Sequence, residues 1–146
     1  MNPTLDILLN RKSVRAFEKR DIEADVKAKI LEATLRAPTA GNMMLYSILD
    51  ITDQSIKEKL VKTCDDQPFI ARAPMVWIFL ADYQRWYDYF LLSGADTFSD
   101  EPMRKPEEGD LFLACSDTLI AAQNAVIAAD SLGLGSCYIG DIMENY

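Results

Sequence analysis

The sequence predicts a mixed domain of helices and strands, and three stretches predict it. Apolar Ile22, Val26, Ile30, Leu31 and Leu35 recur at helical spacing, with Glu23, Lys27, Lys29 and Glu32 facing out between them. After Pro74, residues Met75 to Ala81 form a nearly continuous run of β-branched and aromatic side chains, the pattern of a strand buried on both faces. From Asp110 to Gly133 the chain reads as one long helix, apolar nearly all round and rich in alanine. With 146 residues, 49% of them hydrophobic, residues 1–146 make one domain able to bury a core.

The remaining elements follow in chain order. Asn2 caps a first helix with Pro3 in its opening turn, and Leu5, Leu8 and Leu9 give it an apolar side. The second helix has to end before Pro38, whose ring disfavours helical backbone in the residue before it. Ala37-Pro38-Thr39-Ala40-Gly41-Asn42 is an uncharged turn, either a simple connection or a place where backbone approaches a ligand. Tyr46 to Ile51 suits a strand. Asp53 or Ser55 opens a short helix, with Ser55 and Glu58 at capping-box spacing. Gln67-Pro68-Phe69-Ile70 starts another turn or short helix. Tyr83, Trp86, Tyr87 and Phe90 follow the buried strand at helical spacing, an aromatic stripe suited to a core or subunit interface, or to a ligand box. Ser93 to Gly109 is a polar loop, Asp110 caps the long helix, and Ser136 to Gly140 reads as a short final strand.

Composition excludes several functions. There are 15 basic and 23 acidic residues, a formal net charge of -8, and that field repels nucleic acid and anionic membranes. The most apolar stretch, Thr118 to Ala129, is bounded by Asp117 and Asp130, shorter than a membrane span needs. Three cysteines far apart suggest neither a disulfide framework nor a metal site, and with no signal-peptide pattern the expected location is the cytoplasm. The chain has no histidine, so Ser-His and Cys-His pairs and histidine general bases are impossible within it. That absence favours a bound organic cofactor, since cofactors do redox work that side chains cannot. The glycines at 133, 135 and 140 form no dinucleotide fingerprint, and no P-loop is present.

Against the acidic background, Arg11, Lys12, Arg15, Lys19 and Arg20 are crowded just after the first helix. Two guanidiniums with the Ser13 hydroxyl between them suit a phosphate, since Arg presents fixed planar donors and Ser a short neutral one. The alternative is a basic loop that merely balances Glu18 and Asp21.

Three segments in order, Arg11-Lys12-Ser13-Val14-Arg15, then Ala37 to Asn42, then Gly133-Leu134-Gly135-Ser136-Cys137-Tyr138-Ile139-Gly140, resemble the FMN-dependent nitroreductase family, and Gln67 to Pro74 agrees. The resemblance spans nearly the whole chain. It implies an α+β three-layer sandwich, with a mostly antiparallel sheet flanked by helices, and a homodimer with FMN at the subunit interface. It places Arg11, Ser13 and Arg15, with Lys12 beside them, at the FMN phosphate and ribityl chain. Pro38, Thr39 and Asn42 would touch the flavin from the other subunit, Gln67 its ribityl or polar edge, and Tyr138, Ile139 and Gly140 its ring. The implied activity is two-step hydride transfer from NAD(P)H through FMN to a small electron-poor acceptor, a nitroaromatic, quinone or flavin, with no catalytic side chain and no metal. Alternatives are a flavin-binding protein without turnover, a truncated inactive fragment, or an anion-binding domain that ignores flavin. Two departures from the family stand out. Met44 occupies a position where glutamine is common, and the chain ends at Tyr146, where the resemblance implies a further strand and a basic C-terminal arm.

Overall fold

The structure, a computed structural model, describes residues 2–98 and 100–140. Helix α1, Pro3–Asn10, begins as expected: the Asn2 carboxamide accepts from the Thr4 amide at 2.9 Å. Helix α2, Ala24–Leu35, starts beyond Ile22 and stops before Pro38. A tight turn at Ala40–Asn42 leads into strand β1, Tyr46–Asp50. Helix α3, Gln54–Thr63, is capped by Asp53, which accepts from the Ser55 amide at 2.7 Å, so the Ser55–Glu58 capping box does not form. A single turn, α4, Phe69–Arg72, precedes strand β2, Trp77–Ala81, and helix α5, Gln84–Leu92, carries the aromatic stripe.

The two strands pair antiparallel, with Ile48 opposite Phe79 and Leu49 opposite Ile78. Side chains of Ile48, Trp77 and Phe79 turn toward α2 and α6, whereas Leu49 and Leu80, on the other face, stay exposed. The expectation of a strand buried on both faces is therefore corrected: β2 starts two residues later than Met75 and, among the described residues, has one neighbour and one covered face.

Helix α6, Glu108–Ser131, is the structural axis. Its N-cap is Glu107 rather than Asp110; Asp110 is the third helical residue, reaching back to accept from the Glu107 amide at 2.9 Å. Its other end is a Schellman motif: Gly133 takes φ 79°, its amide donates to Asp130 O at 2.9 Å, and the Leu134 amide donates to Ala129 O at 2.9 Å. At 24 residues the helix is by length and composition apolar enough to cross a membrane, longer than the sequence reading of Thr118 to Ala129 allows. Here it serves as a core helix. Ala125 and Ala129 pack on Ile30 of α2, Ala121 packs on Ala37 and Tyr46, and small side chains allow this close approach.

Ser136 to Gly140 is not a strand. Among the described residues it makes only a parallel bridge from Ser136 to Ser13, and one bridge leaves the ladder's other amides without strand partners. The expectation about the chain's end concerns residues after 140 and lies outside those described.

Candidate functional site

The basic loop is held by the last segment. The Val14 amide donates to Ser136 O at 2.8 Å, and the two chains lie so close that a Cβ on Gly135 would sit 2.6 Å from a Val14 methyl. Phe17 packs with Cys64, Phe69, Ile70, Cys137 and Ile139 in one cluster, which joins the basic loop, the turn around Gln67 and the final segment. On that base, the Arg15 guanidinium lies over the Phe69 ring, 5.9 Å from its centroid. Gln67 follows Asp65 and Asp66, both in the left-handed region at φ 60° and 48°, and its amide nitrogen donates to Cys64 O at 2.9 Å.

The salt bridges of the described residues are Lys29–Asp25 and Arg104–Asp110, so Arg11, Lys12, Arg15, Lys19 and Arg20 pair with neither Glu18 nor Asp21. Moreover, Nη1 of Arg11 is buried and has no hydrogen-bond acceptor among the described residues. A buried guanidinium nitrogen without an acceptor is costly, and an anion with several oxygens removes the cost. Among the described residues the loop's cations thus make no direct ion pair with the carboxylates that neighbour them in sequence.

Tyr138 stands next to this cation. Its hydroxyl donates to Gln123 Oε1 of α6 at 2.9 Å, and partial burial pushes the phenol above its ordinary range while Arg11 pulls the other way. Arg11, Lys12, Ser13, Arg15, Gln67, Tyr138, Ile139 and Gly140 thus lie on three segments brought together by one packing cluster and one bridge.

Pro38, Thr39 and Asn42 are elsewhere. Their turn packs through Ala37 on Ala121, and Asp117 of α6 accepts from the amides of Ala40 at 3.1 Å and Leu45 at 3.3 Å. Among the described residues no hydrogen bond joins this turn to the basic loop. Asp117 and Gln123 are separated by roughly 120° around α6 and about 9 Å along it. The two groups of predicted residues therefore attach to different sides of the helix.

Sequence reasoning gave no role to Asp117, Gln123 and Arg85, and read Trp86 only as part of the aromatic stripe. Arg85 Nη2 donates to Met44 O at 2.6 Å and Trp86 Nε1 to Met43 O at 2.6 Å, both steadying the turn from α5. Tyr46 follows this turn with its hydroxyl buried and unpartnered among the described residues; burial first, then the nearby Asp117 carboxylate, pushes its phenol up. The available signal for Asp117 was a carboxylate next to the apolar stretch of the long helix, Thr118 to Ala129.

Fold and site together define an α+β domain with a basic loop whose cations form no ion pair among the described residues. The chain belongs to the nitroreductase family, which residues 8–146 match. It is 32% identical over 145 residues to an oxygen-insensitive NADPH nitroreductase of Salmonella typhimurium, covering 99% of this chain and 56% of that protein. It is 30% identical over 143 residues to an FMN reductase (NADPH) of Bacillus subtilis, covering 97% and 55%. The crystal structure of nitroreductase A from Vibrio parahaemolyticus superposes with a TM-score of 0.85 at 28% identity, over 97% of this chain and 56% of that one. The chain spans about half the length of the curated relatives it matches. The α+β class holds, and the fold is that of the nitroreductases.

Proposed function

We propose that the chain is the cofactor-holding part of an NAD(P)H-dependent FMN oxidoreductase. The observation that carries this reading is the buried Nη1 of Arg11, which has no acceptor among the described residues, in a loop whose cations form no ion pair among them. Arg11, Ser13 and Arg15, with Lys12 near them, would hold the phosphate and ribityl chain. Gln67 would meet the ribityl or the polar edge, and Tyr138, Ile139 and Gly140 would line the ring. Bound FMN would accept a hydride from NAD(P)H and pass it to an electron-poor acceptor such as a nitroaromatic, a quinone or another flavin. The chain's own part is to bind, orient and exclude water, with backbone amides favouring the reduced anionic cofactor. None of its side chains is assigned as acid or base. Relatives named NADPH nitroreductase and FMN reductase (NADPH) support this reading.

The same reading takes the working unit to be a homodimer in the cytoplasm. Pro38, Thr39 and Asn42 lie apart from the basic loop, as residues that serve a second subunit's cofactor would, and α6 exposes Phe112 at 76% and Leu119 at 68%. The three thiols are free, in keeping with a reducing compartment.

The test compares FMN with riboflavin by fluorescence titration. FMN should bind at least about tenfold more tightly, the order of one charge-assisted hydrogen bond, and the loaded protein should oxidise NADPH when a quinone is supplied. Equal affinity for the two flavins would sink the assignment of the basic loop. FMN binding without NADPH oxidation would reduce the protein to a flavin holder.

A further inference from the structure

The turn between Thr39 and Leu45 has a backbone that side chains disfavour. Gly41, Asn42 and Met44 take φ of 56°, 55° and 53°, and two of the three carry side chains. Such a conformation persists only where its surroundings over-determine it. Four groups do so here. Thr39 Oγ1 accepts from the Met44 amide at 3.2 Å, Arg85 and Trp86 donate to the carbonyls of Met44 and Met43, and Asp117 accepts from the amides of Ala40 and Leu45.

Asp117 differs from the other three. It alone ties both ends of the turn, one carboxylate oxygen to each, across 77 and 72 residues of sequence. It is 3% exposed and forms no salt bridge among the described residues. A buried carboxylate without a cation is expensive in a helix whose neighbouring core positions, Ala114 and Ala121, are filled by alanine. Packing alone would be served better by another apolar side chain. The carboxylate gains from its two amides, and both belong to the turn that carries Thr39 and Asn42.

We propose that Asp117 is a positioning residue: through the amides of Ala40 and Leu45 it holds the turn between Thr39 and Leu45 with its left-handed residues in place, ready to meet the flavin. This rests on the flavin reading above. Asp117 touches no cofactor itself. Its removal lets the turn relax toward ordinary backbone, so that Thr39 and Asn42 lose their aim before the fold is lost.

The experiment compares Asp117→Asn with Thr118→Ala. The latter removes a buried bond of the same helix, Thr118 Oγ1 to Ala114 O at 2.6 Å, without touching the turn. An asparagine keeps one acceptor and opposes an NH₂ group to the second amide. Three quantities are read on each chain: FMN affinity, the visible spectrum of bound flavin, and amide hydrogen exchange of residues 40–45 without flavin. Asp117→Asn should weaken FMN about tenfold, shift the flavin bands and speed exchange at Ala40 and Leu45. Thr118→Ala should lower the melting temperature and leave the other quantities near parental. If Asp117→Asn does not fold, Asp117→Ser takes its place with the same outcomes. A parent that binds FMN beside an Asp117 variant matching Thr118→Ala in affinity and spectrum overturns the assignment alone. A parent that takes up no FMN overturns the flavin reading, and the assignment with it.

Discussion

At the scale of single residues, the basic loop was legible because charge density is local: five cations in ten positions need no tertiary knowledge to be noticed. Gly135 and Asp117 were not, because each matters through a partner far away in sequence. Gly135 looked like one of several turn glycines, yet Val14 sets its size limit. Gly135→Ala should destabilise the protein by about 1–3 kcal/mol, the usual cost of an added group in a packed site, as read by urea unfolding. Adding Val14→Ala removes the methyls that would lie 2.6 and 3.1 Å from the new Cβ and should recover part of that loss. A lone Gly135→Ala as stable as the parent would mean that the basic loop and the final segment are free to separate.

Among elements, those with a long period or a chemical cap were legible. Helices α2, α5 and α6 follow their apolar spacing, and α1 follows Asn2 and Pro3. The final segment was not, because a β-rich composition makes a strand only where a neighbour offers a ladder, and Ser13 offers one bridge. The start of α6 shows how caps shift by a turn. Asp110 was the plausible cap, but Glu107 takes that role while Arg104 grips Asp110 through Nη1 at 2.5 Å and Nη2 at 2.7 Å. That grip first, and the Glu107 amide second, lower the Asp110 carboxyl from 3.8 to about 2. A carboxyl depressed by folding stabilises fully above its unfolded value and loses that contribution as pH falls through its folded value. The melting temperature should therefore fall more steeply between pH 3.8 and about 2 in the parent than in Arg104→Met. Parallel curves for the two would remove Arg104 as the cause.

For the molecule as a whole, the mixed class followed from the periodicity of three stretches, whereas the one-sided cover of the sheet did not. The apolar α6 was equally suited to the centre of a domain or of a dimer, and it faces both ways. Ala121, Ala125 and Ala129 face the core, while Phe112 and Leu119, seven residues apart, form an outward stripe. Under the dimer proposal, Leu119→Glu should shift the protein toward monomer in analytical ultracentrifugation and leave its far-ultraviolet dichroism unchanged, because a side chain 68% exposed contributes little to its own fold. An unaltered dimer would move the interface off this stripe, and a parent that is monomeric throughout would end the dimer reading.

The long reach of the Asp117 pin also orders events during synthesis. Ala40 leaves the ribosome 77 residues ahead of the carboxylate that holds it. At a synthesis rate of about 5–20 residues per second that is a wait of roughly 4–15 s. Throughout that interval the turn exists in sequence without the restraint that makes its left-handed backbone worthwhile. Under the flavin proposal, a cofactor that needs Thr39 and Asn42 in place has to wait for the second half of the chain, and its capture is a late step, after α6 has closed over α2.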